Sequence, residues 1–260
     1  YHCGADGLDW NAFFTQVQAS SVLLPTYAFQ RKRYWLEPTL QLGAGILGAK
    51  PSDDAFAGVS LPQAEGGWHH LIPLSTVRQA YLQEHVAFGQ VILPGIAYPL
   101  IMAAVARSHW DNEGADFRNV QIVHPLFLGG DKTLHAFVTP SENGEYRFSL
   151  RTQVEDLEGE WLVHAEGMLD PQAKSQISGL TLEQVRAECT EERSIGDFNA
   201  TVDQTDVEWG PGWRWGKSMT IGESSGLIEI ETPQGAAKDG PLHPIMFDNG
   251  IGFSQSLPVL

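Results

Sequence analysis

Residues 84–95, EHVAFGQVILPG, place the lone histidine His85 nine residues ahead of a Pro-Gly pair, with mostly apolar residues between them. The run GQVILP predicts a strand, and Pro94-Gly95 predicts a turn into the next element. The residues that follow, IAYPLIMAAVARSHW, have the apolar content and length of a buried helix, and Pro99 is acceptable because it falls near the first turn. The stretch therefore predicts an imidazole ahead of a buried strand and a buried helix.

Strand-like runs, most of them bounded by Gly, Pro, Asn or Asp, surround this helix in the sequence. They are WHHLIPL (68–74), VQIVHPLFL (120–128), TLHAFVTP (133–140), YRFSLRTQV (146–154) and WLVHAEGML (161–169). SENGEY, at 141–146, supplies the Asn-Gly turn of a hairpin. The pattern then partly repeats, because 206–222 and 226–233 predict strands and HPIMFDNGIGFSQSL (243–257) predicts a second buried helix entered through a His-Pro turn. The fold class is therefore α+β, with a helix in a sheet, twice.

The sequence predicts two regions, the second of which has two halves and a connection. Residues 1–38 are dense in aromatics, end in a short basic cluster at 31–33, and are expected to be a linker segment lying along a neighbouring domain. Residues 39–260 form the globular domain, which begins irregularly, with a short strand near Ile46 and Leu47. Its first half covers about 45–171, its second half about 201–260, and a connection at about 172–200 holds the helical patch LTLEQVRAEC.

Composition and charge argue against several classes of function, including nucleic-acid and membrane binding. The chain is 42% apolar and 18% charged, as in ordinary globular proteins, and its net charge of −16 repels nucleic acid and anionic membrane surfaces. Cys3 and Cys189 lie too far apart in sequence for a disulfide framework or metal-ligand spacing, which favours a reducing, cytoplasmic compartment. We find no signal-like start and no apolar run long enough to span a membrane.

His85 has two interpretations. It can be a core histidine satisfied by the backbone, which is the more common case for a single histidine. It can also be a base kept neutral by apolar walls, beside backbone N–H groups that Gly95 leaves unpaired at the start of the helix. Such a base could take a proton from the carbon alpha to a carbonyl held by those N–H groups.

Asp248 also has two interpretations. In HPIMFDNG it is one carboxyl in an otherwise apolar entry to a helix, so burial is expected to raise its pKa and let it donate a proton to a leaving hydroxyl. The alternative is a helix N-terminal aspartate stabilised by the helix dipole. Taken together, a base and an acid at the starts of two buried helices suit the elimination of water from a 3-hydroxyacyl group.

Several motifs occur in an order that resembles one family. LPTYAFQRKRYW (24–35) looks like the end of a linker, and GILGAK (45–50) falls where the family has its HPLLGA start. His85, Gly89 and Pro94 fill an HxxxGxxxxP motif, WGPGW (209–213) stands at a YGPxF motif, and HPIMFD (243–248) matches HPxxxD. These motifs span nearly the whole chain. In them the chain resembles the dehydratase domain of modular type I polyketide synthases, preceded by the linker that follows an acyltransferase domain.

The resemblance implies a double-hotdog fold, two curved antiparallel sheets each wrapped round a central helix. It implies dehydration of a (3R)-3-hydroxyacyl thioester, carried on the phosphopantetheine of an acyl carrier protein, to a 2,3-enoyl thioester in polyketide biosynthesis. His85 would be the base, Asp248 the acid, and Gly95 N–H the group that holds the thioester carbonyl, with no cofactor of the domain's own. The implied partners are the carrier protein, acyltransferase and ketosynthase domains upstream, a ketoreductase downstream, and a second copy in a homodimer.

The implied substrate-binding positions are the following: Gly89, Pro94, Gly95, Trp209, Gly210, Pro211 and Gly252. Two of them depart from the family. Gly252, one helical turn after Asp248, stands where the family has Gln or His to hold the carboxyl, so Asn249 or Gln255 is a possible substitute. Trp209 replaces the tyrosine of YGPxF and keeps only an indole donor.

These departures, with bulky Trp213 and Trp215 on the same strand, leave open an enoyl isomerase or pyran-forming cyclase in the same fold, or a silent structural or docking domain. The sequence also ends 12 residues after Asp248, so we expect the second half to be incomplete within the sequence given.

The remaining histidines are expected to be structural. His69, His70, His124, His135 and His164 are expected on strands, with no carboxylate or cysteine at ligand spacing, and His243 in the turn before the second helix. We therefore predict no metal site.

Overall fold

A computed structural model describes residues 48–110, 115–154, 159–172, 181–223, 225–233 and 243–254, together with the single residues 9, 12, 15 and 179. The chain divides into two units, Tyr1–Leu40 and Gln41–Leu260. In the first unit, Ala12 and Thr15 are helical and the Ala12 N–H donates to Asp9 Oδ1 at 3.1 Å. The aromatics expected in the linker, the basic cluster at 31–33 and the strand expected near residues 46–47 lie outside the described residues.

The strands and α-helices described in the second unit are numbered in chain order. The strands are β1 (Lys50–Pro51), β2 (Val59–Pro62), β3 (Trp68–Leu74), β4 (His85–Ala87), β5 (Gln90–Val91), β6 (Asp116–Ile122), β7 (Lys132–Pro140), β8 (Tyr146–Gln153), β9 (Trp161–Asp170), β10 (Glu191–Arg193), β11 (Val207–Trp209), β12 (Gly216–Ile221) and β13 (Gly226–Ile230). The α-helices are α1 (Ala97–His109), α2 (Leu182–Glu188), α3 (Ile195–Val202) and α4 (Pro244–Ser254).

The first half is a seven-stranded sheet in the order β1-β2-β3-β7-β8-β9-β6, with every neighbouring pair antiparallel. Alternation along the strands turns one face inward: in β7, Leu134, Ala136 and Val138 are buried while their neighbours are partly exposed. SENGEY forms the β7–β8 hairpin as predicted, with Asn143 and Gly144 at positive φ. This sheet supplies one wall of the core.

Helix α1 follows the Pro94-Gly95 turn, as the sequence predicts. Eight of its 13 residues are buried, and all of these except Leu100 belong to the same apolar cluster as the inward side chains of β7 and β8. Pro99 is the third residue of the helix, where its missing N–H costs no helical hydrogen bond. Burial on nearly all sides makes α1 the central helix of the first half.

The second half repeats the plan on a smaller scale. Strands β10, β12 and β13 form an antiparallel sheet, and α4 contributes Ile245 and Phe253 to the buried cluster that also contains the core of α1. Strand β10 and the start of helix α3 lie within the stretch that the sequence assigned to the connection, and β10 already belongs to the second sheet. The two halves therefore share one core.

A third sheet joins the halves, in the order β11-β4-β5. Strand β4 of the first half pairs antiparallel with β11 of the second, and this register sets Trp209 opposite His85. The predicted GQVILP strand is shorter than expected, since only Gln90 and Val91 form β5. The strand predicted over 206–222 is also wrong as one element, because a 3-10 turn at Pro211–Trp213 divides it.

Candidate active site

His85 begins β4, directly after a 3-10 turn, and is 6% exposed. Its Nδ1 lies 3.0 Å from the carbonyl oxygen of Ile92. Because a carbonyl only accepts, Nδ1 carries the proton and donates, which leaves a lone pair on Nε2. The backbone contact expected of a core histidine is therefore present, and it fixes the tautomer that a base requires.

Asp248 is the fifth residue of α4 and not its N-terminal residue, so the interpretation as a dipole-stabilised helix-start aspartate is wrong. Its carboxyl Oδ2 accepts a hydrogen bond from the indole Nε1–H of Trp213 at 3.0 Å. The same oxygen lies 3.6 Å from His85 Nε2, and the two side chains are 17% and 7% exposed respectively. The structure thus brings the two predicted catalytic groups together.

Burial shifts the two pKa values in opposite directions. It lowers the pKa of His85 below 6.5, against the attraction of Asp248 and the bond to Ile92. It raises the pKa of Asp248 above 3.8, against the charge of His85 and the indoles of Trp213 and Trp209. Both shifts disfavour charge, so with one proton between them burial favours neutral imidazole and carboxylic acid over imidazolium and carboxylate.

Two hydrogen bonds to Glu84 hold the turn at residues 210–213 next to His85. Glu84, the neighbour of His85, accepts from the Gly212 N–H through Oε2 at 2.5 Å and from the Gly210 N–H through its backbone carbonyl at 2.8 Å. Trp213 is fully buried, and its ring centroid lies 5.0 Å from that of His85. Gly210 and Pro211, expected to bind substrate, thus form the turn that carries Trp213.

Asn249 does not substitute directly for a donor to Asp248. Its Oδ1 accepts from the Trp215 N–H at 3.0 Å, and its Nδ2 donates to the carbonyls of Trp213 at 2.8 Å and Ile245 at 2.9 Å. The amide is 0% exposed and is fully engaged in tying that segment to α4. The other possible substitute, Gln255, lies outside the described residues.

Gly252 and Trp209 pack against each other. A Cβ on Gly252 would stand 2.9 Å from Trp209 Cη2, closer than real Cβ atoms approach a neighbour. Trp209 is 7% exposed, and its indole Nε1–H makes no hydrogen bond of ordinary geometry with the described residues. The glycine is thus explained by the tryptophan that faces it.

The remaining predicted site residues lie along the path from β4 to α1. Gly89 has a φ of 72°, and nothing lies within 4 Å of where its Cβ would be, so the conformation of the turn rather than space favours glycine. Pro94 is buried, and Gly95 is exposed just before α1. Among the described residues no partner bonds the Gly95 N–H, which leaves it available at the helix start.

The other histidines make local contacts away from the pair. His70 Nδ1–H donates to Ala57 O at 2.7 Å, so its Nε2 accepts from His109 Nε2–H at 2.8 Å. His164 lies in β9 and bonds Thr152, whereas His124 lies just past β6 and not on the strand as expected.

Two further histidines bond each other, since His69 Nε2 and His135 Nδ1 are 2.9 Å apart. His243 Nδ1 accepts from the Ile245 N–H at 3.2 Å and caps the start of α4. In the part of the chain that the structure describes, no group of three or more His, Cys, Asp or Glu could hold a metal.

Comparisons with known proteins agree with this architecture. A family model described as "Polyketide synthase dehydratase domain" matches residues 57–153. The phenolphthiocerol synthesis polyketide synthase type I Pks15/1 of Mycobacterium marinum is 29% identical over 93% of this chain, and polyketide synthase GfsE of Streptomyces halstedii is 32% identical over 64%. The chain spans only 12% and 4% of the length of these relatives.

Two solved structures share the fold. The dehydratase domain from the CurF module of curacin polyketide synthase superposes with a TM-score of 0.68 at 24% identity, covering 79% of this chain and 76% of that one. The CurK dehydratase domain gives a TM-score of 0.65 at 26% identity, covering 77% and 72%.

The double-hotdog architecture, with a buried histidine and a partly buried aspartate meeting where the halves join, defines a hotdog dehydratase-type domain. The family model, the curated relatives and the solved structures all show similarity of this chain to dehydratase domains of type I polyketide synthases. The fold class and family expected from the sequence are confirmed.

Two residues at the site carried no clear signal in the sequence. Glu84 precedes His85 without belonging to any motif, and its partner Gly212 lies 128 residues away. Trp213 was noted only for its bulk, although an indole next to a buried carboxyl is a hydrogen-bond donor by chemistry alone.

Proposed function

We propose that this domain removes water from a (3R)-3-hydroxyacyl thioester carried on the phosphopantetheine of an acyl carrier protein, and produces a 2,3-enoyl thioester. The observation that carries the proposal is the close pair, in which an unprotonated His85 Nε2 and the partly buried Asp248 carboxyl lie 3.6 Å apart. A base and an acid so close can act on adjacent carbons of one acyl chain.

In the proposed reaction, His85 Nε2 takes the proton from C2 while Asp248 gives its proton to the C3 hydroxyl. The C2–H and C3–O bonds break, the C2–C3 double bond forms, and water leaves. The Gly95 N–H at the start of α1 is suited to hold the thioester oxygen, where negative charge develops. The thioester itself makes C2 acidic, so these residues supply the proton transfers.

The protonation states of His85 and Asp248 after the reaction are also consistent with their surroundings. After the elimination, His85 is an imidazolium and Asp248 a carboxylate, and the charges attract across the 3.6 Å separation. Burial disfavours this charged form, so transfer of the proton from imidazole to carboxylate restores the neutral pair. The pair can therefore reset once the water has left.

The proposed partners follow from the family. The relatives in the comparison are polyketide synthases many times longer than this chain, so a carrier protein, neighbouring acyltransferase, ketosynthase and ketoreductase domains, and a second copy are all proposed contacts. None of the helices in the described ranges has the length and hydropathy to cross a membrane. A cytoplasmic location stays a prediction.

The proposal is tested by mass spectrometry of a 3-hydroxyacyl carrier protein incubated with the native polypeptide that contains this domain. We expect the acyl chain to lose one water, and His85→Ala and Asp248→Asn each to abolish the loss. His164→Ala is the matched control, since this histidine is equally buried but bonds Thr152 and His124. A loss of water that survives either active-site substitution would contradict the proposed roles.

Double-bond migration or ring closure by the same pair would leave the mass unchanged. A 2-enoyl carrier protein followed by NMR would then reveal a shifted double bond or a new ring. Absence of any change with both substrates would indicate a silent domain.

A further inference from the structure

The carboxyl of Asp248 is held from outside its own helix. Within the described part of the chain, its one hydrogen bond of ordinary geometry comes from the Trp213 Nε1–H, at 3.0 Å. The donor lies on the turn between β11 and β12, which belongs to a different element of the fold. The same indole packs against the His85 ring at 5.0 Å between centroids, so Trp213 contacts both members of the pair.

Helix α4 cannot supply such a donor from the next turn. Position 252 lies one turn after Asp248 and on the same face, where a longer side chain could reach the carboxyl. Trp209 fills that space, because its Cη2 would lie 2.9 Å and its Cζ2 3.4 Å from a Cβ on residue 252. With the helical position closed, the turn is the source of the hydrogen bond.

The turn is itself fixed to the helix that carries the acid. Asn249, the residue after Asp248, accepts from the Trp215 N–H and donates to the Trp213 carbonyl. A displacement of Trp213 relative to Asp248 would break at least one of these buried bonds, which is costly at a site with 0% exposure. Adjacent residues of α4 thus bear the carboxyl and hold the residue that bonds it.

We propose that Trp213 is the positioning residue for Asp248 in place of a donor on the helix, and that Asn249 holds Trp213 in this role. The inference rests on the proposed function for its catalytic meaning. It assigns Trp213 an effect on the acid through the Nε1–H, separate from the packing of its ring.

The Nε1–H has a signature that packing lacks. A donor stabilises the carboxylate, so it lowers the pKa of Asp248 against the rise caused by burial. Without it the carboxyl stays protonated to higher pH, while its orientation is lost. We therefore expect a lower maximal rate together with an alkaline limb that extends to higher pH.

The test compares Trp213→Phe with Trp215→Phe in the native polypeptide that contains this domain. Trp215 is the matched control, because it is also buried and its Nε1–H donates to the Gly212 carbonyl at 2.8 Å rather than to Asp248. For Trp213→Phe we expect kcat for dehydration to fall roughly ten- to hundredfold, with KM little changed and the alkaline limb moved upward. For Trp215→Phe we expect the alkaline limb to stay at its wild-type pH.

A second readout does not depend on activity. The Asp248 carboxyl is titrated by carbon NMR, with Asp248→Asn to assign its signal, and its pKa should be higher in Trp213→Phe than in wild type. If Trp213→Phe fails to fold, 3-benzothienylalanine at position 213 keeps the bicyclic shape and replaces the N–H by sulfur, and the same rise is expected.

The outcomes separate the two proposals. An active wild type with an unchanged kcat and pH profile in Trp213→Phe would overturn the positioning role and leave dehydration standing. An inactive wild type would count against dehydration, and the titration would still decide the positioning role, since an Asp248 pKa that does not rise without the N–H would refute it.

Discussion

Replacing Gly252 by alanine should destabilise the protein, although the same substitution at Gly250 should stabilise it. Both glycines lie inside α4, where alanine is favoured over glycine by about 1 kcal/mol. Nothing lies within 4 Å of a Cβ built on Gly250, so that gain should be realised in full. The comparison isolates what surrounds position 252.

At Gly252 the gain is opposed by a clash. The added Cβ would stand 2.9 Å from Trp209 Cη2, at the end of a rigid ring that is 7% exposed and packs edge-on against the buried Phe198. Overfilling of this kind costs about 1–3 kcal/mol, which leaves a net destabilisation of about 1 kcal/mol. The two alanine variants should therefore differ by about 1–3 kcal/mol.

Urea unfolding followed by circular dichroism gives both free energies of unfolding. In a Trp209→Phe background the outer ring is absent, and Gly252→Ala should then be stabilising, so a double-mutant cycle gives the coupling between the two positions. Equal stabilisation by alanine at 250 and 252 in the wild-type background would show that Trp209 does not close this position.

Three further predictions concern charge and hydrogen bonds. Burial lowers the pKa of His85, so the acid limb of the dehydration kcat/KM profile should lie below pH 6.5. Burial raises the pKa of Asp248, so the alkaline limb should lie above pH 3.8. An acid limb above pH 6.5 would contradict the burial of the base. Burial lowers the pKa of His70 from 6.5 to about 4 in the folded protein, so the free energy of unfolding should fall on acidification, by on the order of 2 kcal/mol between about pH 7 and pH 5. Urea unfolding of His70→Asn at several pH values should show a flatter pH dependence than wild type. Glu84→Ala removes the acceptor of the Gly212 N–H and should lower the free energy of unfolding, measured in urea, by about 1–2 kcal/mol. Glu84→Gln keeps an acceptor and should cause a smaller loss. Equal losses in both variants would show that the charge of Glu84, and not the hydrogen bond, is responsible.

The sequence was sufficient for the central elements because their patterns are local. IAYPLIMAAVARSHW is apolar on nearly every face, and only a helix within a core satisfies it, as α1 shows. WHHLIPL became β3 residue for residue, since a strand between polar turns with a buried inner face needs no distant information. The His85 and Asp248 candidates were likewise found from the apolar residues around them.

The sequence could not predict how WGPGW is divided. The prediction of a strand over 206–222 treats this stretch as one element, but the turn at Pro211–Trp213 depends on Glu84, which lies 128 residues from Gly212 in sequence. The glycine at position 252 could not be explained from the sequence either. It looked like the loss of a residue that supports Asp248, and only the packing against Trp209 shows why a side chain is excluded there. Such contacts depend on tertiary neighbours that local patterns do not encode.

The pairing of β4 with β11 has a consequence for synthesis of the chain. The seven strands of the first sheet are all complete once residue 170 has been made, so that half can begin to assemble as it emerges. His85, by contrast, lies on a strand whose outer neighbour is β11, and its fixed partner Trp209 emerges much later. His85 is therefore made early but is set in its final place only when the second half docks, so we expect the pairing of His85 with Asp248 to form late in the folding of the domain.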